Sequence, residues 1–138
     1  MDIEDCLDRS IVKYTVPDPI SSLKSLEQSR RHLADAEENL YIMRHRVVVL
    51  SCYAAMFHAA KAVLYRDGVD ENRQEYIPIY LRSRYPQLMA KANVLDVLRR
   101  FSHVALFGLD AEAYEEDAIV SLEAAVDFVN SMEGILKG

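Results

Sequence analysis

Apolar side chains recur along this chain at intervals of three and four residues, the period of an α-helix with one buried face. Leu23, Leu26, Arg30, Leu33, Ala34, Glu37, Leu40 and Tyr41 follow that spacing, mostly apolar with charges between, and predict a first long helix from an N-cap at Ser21 or Ser22 to about Met43. A tight turn over 41–46 leads to a second helix, about 46–66. Its small residues Ala54, Ala55, Ala59, Ala60 and Ala62 let neighbours approach closely, and Gly68 is placed to close it in the left-handed conformation.

Residues 69–86 begin polar, then Tyr76-Ile-Pro-Ile-Tyr-Leu predicts one short helix ended by Tyr85-Pro86. A third long helix covers about 87–107 and stops at Gly108. Asp110 is the predicted cap of a fourth, whose stripe is Ala111, Tyr114, Ala118, Leu122, Ala125, Val129, Met132 and Leu136, with Glu112, Glu115, Glu116 and Asp117 at the positive end of its dipole. Residues 1–20, with Pro17 and Pro19, read as an arm or short helix. No β-like alternation and no repeat is found. The expectation is all-α: an antiparallel up-and-down bundle of four long helices plus one or two short ones, a single domain over 1–138.

At 138 residues, 51% hydrophobic and with four Gly and four Pro, the chain is long enough for one core and too apolar for a disordered segment. The acidic N-terminus lacks the features of a signal peptide, and the most apolar run, Val47–Ala60, has 14 residues where a membrane span needs about 20. Cys6 and Cys52 match no metal or redox spacing, which suggests a reduced cytoplasmic setting, and no membrane partner is expected.

Sixteen Lys and Arg against 22 Asp and Glu give a net charge of −6, which disfavours indiscriminate nucleic-acid binding. The charge is uneven: residues 44–105 balance at +5 and the remainder at −11. Arg82, Arg84, Lys91, Arg99 and Arg100 crowd the middle with only Asp96 among them, a basic patch able to meet phosphate or simply a solvated dipole.

Catalytic motifs are scarce. Ser29, Ile42, Ala55 and Arg100 stand three residues before the four histidines, so the Glu-x-x-His pairs of di-metal bundles are missing, and no metal or cofactor is expected. No phosphate loop, nucleophile elbow or dinucleotide fingerprint occurs. His58 and Cys52, within an apolar helix, read as core residues. Arg99 and His103, four apart, lie on one helical face together with Ala92 and Asp96. Val94, Val97, Leu98, Phe101, Val104 and Ala105 occupy the opposite side and are the expected core. Arg99 and His103 then point outward, flanked by Leu88, Leu95 and Leu106, expected to form an interface. An Arg that neutralises phosphate and a His that moves protons are what a metal-free ribonuclease requires.

Three segments together resemble the HEPN family (higher eukaryotes and prokaryotes nucleotide-binding domains): Ala34-Asp-Ala-Glu-Glu-Asn-Leu; Ser51-Cys-Tyr-Ala-Ala-Met-Phe-His-Ala-Ala-Lys-Ala-Val-Leu-Tyr-Arg-Asp-Gly; and Leu122-Glu-Ala-Ala-Val-Asp-Phe-Val. The resemblance implies a helical bundle that forms a homodimer, often encoded beside a minimal nucleotidyltransferase in a toxin–antitoxin pair. It further implies that ribonuclease members use an Arg followed by four to six residues and a His, paired across the dimer without metal. This chain has three residues between Arg99 and His103, and reads Asp70-Glu-Asn-Arg-Gln-Glu where a Ser-His is common. Three functions follow. The favoured one is a non-catalytic or regulatory dimeric module paired with a nucleotidyltransferase. The second is a metal-independent endoribonuclease using Arg99 and His103, with Arg100 as an auxiliary phosphate contact. The third is nucleotide or phosphate binding at a basic cleft near Arg82, Arg84 and Arg100.

Overall fold

A computed structural model describes all of residues 1–138. The elements follow in the order α1 (Ile3–Asp8), β1 (Val12–Tyr14), α2 (Pro19–Tyr41), α3 (His45–Asp67), β2 (Val69–Glu71), α4 (Ile77–Arg84), α5 (Met89–Phe107) and α6 (Glu115–Lys137). Short 3₁₀ turns at Gln74–Tyr76 and Pro86–Leu88 lead into α4 and α5. The predicted all-α bundle of four long helices is what forms, with α1 and α4 as the short ones.

Helix α2 starts earlier than predicted. Asp18, not Ser21 or Ser22, is the N-cap: its carboxylate accepts the Ser21 N–H at 2.9 Å, and Pro19 supplies the preset φ of the first turn. The buried face of α2 also differs. Leu23 is exposed, while Ser22, Ser25 and Ser29 are buried beside Leu33 and Ala36. Each serine hydroxyl donates to a carbonyl of α3: Ser22 to Ala62, Ser25 to His58, Ser29 to Ala55, at 2.6–2.7 Å. Small side chains with a donor at the tip let two backbones close on the alanine-rich α3. A count of apolar positions misses this, because the residues involved are polar by type. The descending partner numbers make α2 and α3 antiparallel.

Helix α3 lies at the centre, packed most extensively on α2 and α6. It is apolar enough to cross a membrane by length and composition, and more than half of that stretch is buried within the protein. Cys52 is fully buried, and burial pushes its thiol up to about 12, as suits a small core hydrophobe. Gly68 ends α3 at φ +70° as predicted; a Cβ there would sit 2.4 Å from the Thr15 carbonyl.

That close approach belongs to a feature the sequence did not disclose. β1 pairs antiparallel with β2, Val12 opposite Glu71 and Tyr14 opposite Val69. Thr15 N–H donates to the Gly68 carbonyl at 2.7 Å and Asp18 N–H to Tyr65 at 2.9 Å. Three-residue strands are too short to show alternation. The arm is thus a strap, with Cys6 and Val12 buried in the core.

Helix α6 begins at Glu115, not after Asp110. Asp117 accepts the Tyr114 N–H at 2.8 Å and so fixes the first turn, and Tyr114 itself is exposed. The predicted stripe holds at Ala118, Ala125, Val129 and Met132, all buried, with Ser121 and Phe128 added.

Candidate functional site

Helix α5 sets the site, and it is turned relative to the prediction. Leu88 and Leu95, expected to be interface leucines, are 6% and 2% exposed and belong to the core with Ala92, Leu98 and Ala105. Val94, Val97 and Val104, expected in the core, are exposed. Both sides of α5 are apolar, so periodicity alone could not say which one the bundle takes. Leu106 is exposed, as expected of it.

The turn leaves Arg99 partly buried and His103 exposed at the edge of the core face. The two open into one cavity of about 420 Å³. Its other walls come from Tyr53 on α3, from Arg73, Gln74 and Glu75 on the β2–α4 connection, and from Ser102, Leu106 and Phe107. The His103 ring rests against Phe107, centroids 4.9 Å apart. Tyr53 hydroxyl donates to Gln74 Oε1 at 2.6 Å and ties α3 to the connection. Partial burial pushes the Tyr53 phenol up to about 12; the nearby Arg99 charge opposes this and Asp96 adds to it. Sequence reasoning did not assign Tyr53, Arg73, Gln74 or Glu75. The available signals were a phenol amid the small apolar residues of α3 and the charged run after β2.

Asp96 governs the basic side chains. Its Oδ1 accepts from Arg99 Nε at 3.2 Å and Nη2 at 3.0 Å, and its Oδ2 accepts from Arg100 Nη2 at 2.6 Å. Burial works to raise the Asp96 carboxyl, but these bonds and the two positive charges outweigh it and hold it below its ordinary value. Arg100 is therefore engaged outside the cavity. Across Arg99 lies a second depression, lined by Met1, Glu75, Tyr76, Ile79, Arg82 and Asp96 among others. Arg82 also donates to Asn93 Oδ1 at 3.1 Å. Arg84 lies over the Tyr85 ring, 4.8 Å from its centroid, and lines neither depression. Lys91 pairs with Asp127 at 2.6 Å. The predicted patch is thus dispersed: Arg99 and Arg82 share a groove, Arg99 and His103 share a cavity, and the other cations are held elsewhere.

His58 departs from its core assignment. It is half-buried on the α2–α3 seam, its ring stacked on His32 at 5.3 Å and 6°, with Phe57 edge-on at 5.1 Å. Burial, then the His32 and Lys61 charges, push it below its ordinary value. No three His, Cys, Asp or Glu side chains converge in a way that would hold a metal ion.

A family model of the HEPN domain matches residues 22–137. The chain belongs to the HEPN family. No curated protein and no solved structure matches it. The HEPN match runs from Ser22, within the first turn of α2, through α6 and takes in every residue of the 420 Å³ cavity, while α1 and β1 precede it.

Proposed function

We propose that this HEPN chain is a non-catalytic, dimeric binding module, cytoplasmic, and one half of a toxin–antitoxin-like pair with a minimal nucleotidyltransferase. One observation carries the non-catalytic part of this reading: Asp96 holds both Arg99 and Arg100, so the Arg that shares a cavity with His103 already has a carboxylate partner. The shortened Arg99-to-His103 spacing supports the same reading. The test is to incubate the purified chain with single-stranded RNA and to measure its mass in solution. Intact RNA and a dimer mass are expected; metal-independent cleavage overturns the reading.

A second reading, a metal-independent ribonuclease, is favoured by the shared cavity of Arg99, His103 and Arg73. There His103 would move the proton of the attacking 2′-hydroxyl and Arg99 would neutralise the phosphate. It requires that Arg99→Ala and His103→Ala each abolish cleavage while leaving the fold intact.

A further inference from the structure

The outward stripe of α5 is not used by either reading. Ala90, Val94, Val97, Phe101 and Val104 follow one another at intervals of four, three, four and three residues, the spacing with which one helix seats along another. Val94, Val97 and Val104 are 39%, 57% and 53% exposed, and Val120 of α6, which shares a groove with the first two, is 58% exposed. Exposed apolar side chains grouped in this way mark an interaction surface.

Helices α5 and α6 touch only sparsely, and the space between them is a groove. Val94, Val97 and Phe101 form one wall; Glu116, Val120 and Ala124 form the other, around about 250 Å³. It continues into a depression of about 200 Å³ floored by Ala90, Val94 and Phe128. The α6 wall is acidic: Glu116 and Asp117 line it, Glu115 and Glu123 stand beside it on the same helix, and none of the four has an ion-pair partner in the chain. The cations of the α5 wall are already taken, Lys91 by Asp127 and Arg100 by Asp96.

An apolar floor beside unpaired carboxylates fits one chemistry. We infer that the α5–α6 groove seats an amphipathic helix of a partner protein, with aliphatic side chains at three-four spacing and Lys or Arg beside them. A second copy of this chain would oppose the same acidic wall to itself, and an anionic lipid surface would be repelled by it. The inference rests on the reading of the chain as a binding module and names the partner's recognition element.

Three helical peptides test it, sharing one aliphatic seam and differing only in flanking residues, which are Lys, Gln or Glu. Fluorescence anisotropy is expected to rank them Lys tightest and Glu weakest. Val97→Asp is expected to weaken the Lys peptide at least tenfold. The double substitution Glu116→Lys, Glu123→Lys is expected to reverse the order. All three positions are exposed or at a groove rim, so circular dichroism should show an unchanged fold. No peptide binding, a ranking blind to flank charge, or a groove insensitive to Val97→Asp overturns the inference. So does conversion of a dimer to a monomer by Val97→Asp, which would give the groove to a second copy. RNA cleavage by the chain would remove the non-catalytic reading and leave the peptide ranking standing, so the two failures are distinguishable.

Discussion

Asp96 and Arg99 are joined through a single carboxylate oxygen, Oδ1, which accepts both Nε and Nη2 of the guanidinium one turn further along α5. Asp96→Asn keeps the shape and removes the charge. It should raise affinity for single-stranded RNA several-fold and steepen its salt dependence, because Arg99 and Arg100 are then free to meet phosphate. Stability should change by no more than about 1 kcal/mol, the range of partly exposed pairs. Anisotropy with a labelled oligonucleotide at two salt concentrations checks both; unchanged affinity and slope would show that neither arginine reaches RNA.

Leu95 and Leu106 were both expected at an interface, and only Leu106 is exposed. Leu95→Ala should therefore cost roughly 2–5 kcal/mol in urea unfolding, the range for a buried leucine truncated to alanine. Leu106→Ala should stay within about 0.5 kcal/mol. Equal effects would contradict the orientation of α5.

The serine contacts between α2 and α3 should respond asymmetrically. Ser29→Ala removes one hydroxyl bond to Ala55 and should cost about 0.5–1.5 kcal/mol. Ser29→Leu must force the two helices apart and should cost more, about 1–3 kcal/mol or above. Chemical denaturation of the two variants side by side decides it.

His58 should give the protein a pH dependence whose sign follows from its burial. Its folded-state pKa lies below its ordinary value, so the unfolded chain binds the proton more readily. The stability this contributes is present above the ordinary pKa of about 6.5 and is lost as pH falls through that value toward the folded one. His58→Phe should flatten the decline between about pH 7 and 5. An NMR titration of the His58 ring, with unfolding measured at each pH, provides the check.

Gly68→Ala should destabilise by at least about 1–2 kcal/mol, the cost of a left-handed residue with a Cβ, before counting the collision with Thr15. Because Thr15 is pinned to Gly68, limited proteolysis before residue 18 should quicken in the same variant.

The long helices were legible because their length gives the three-four period room to show; α3, α4 and the glycine stop of α3 followed directly. What escaped had particular physical causes. Ser22, Ser25 and Ser29 form a buried face from residues that hydropathy counts as surface. The two faces of α5 compete, and which one turns inward is settled by α3 and α4, far away in sequence. The cavity around Arg99 and His103 was half legible: the pair lay on one helix, whereas Tyr53 and Arg73–Glu75 reach it only through the fold. β1 and β2 were invisible because their pairing spans more than fifty residues and involves three on each side.

The strap has a consequence for what counts as one unit of this protein. The family match begins at residue 22, yet Cys6 and Val12 sit in the same core as α3, and β1 supplies the only partner for the β2 edge. A chain trimmed to its recognisable part would keep the whole Arg99–His103 cavity and still present an unpaired strand edge and an opened core. The segment that inheritance marks as the domain and the segment that folds as one are different lengths of the same chain.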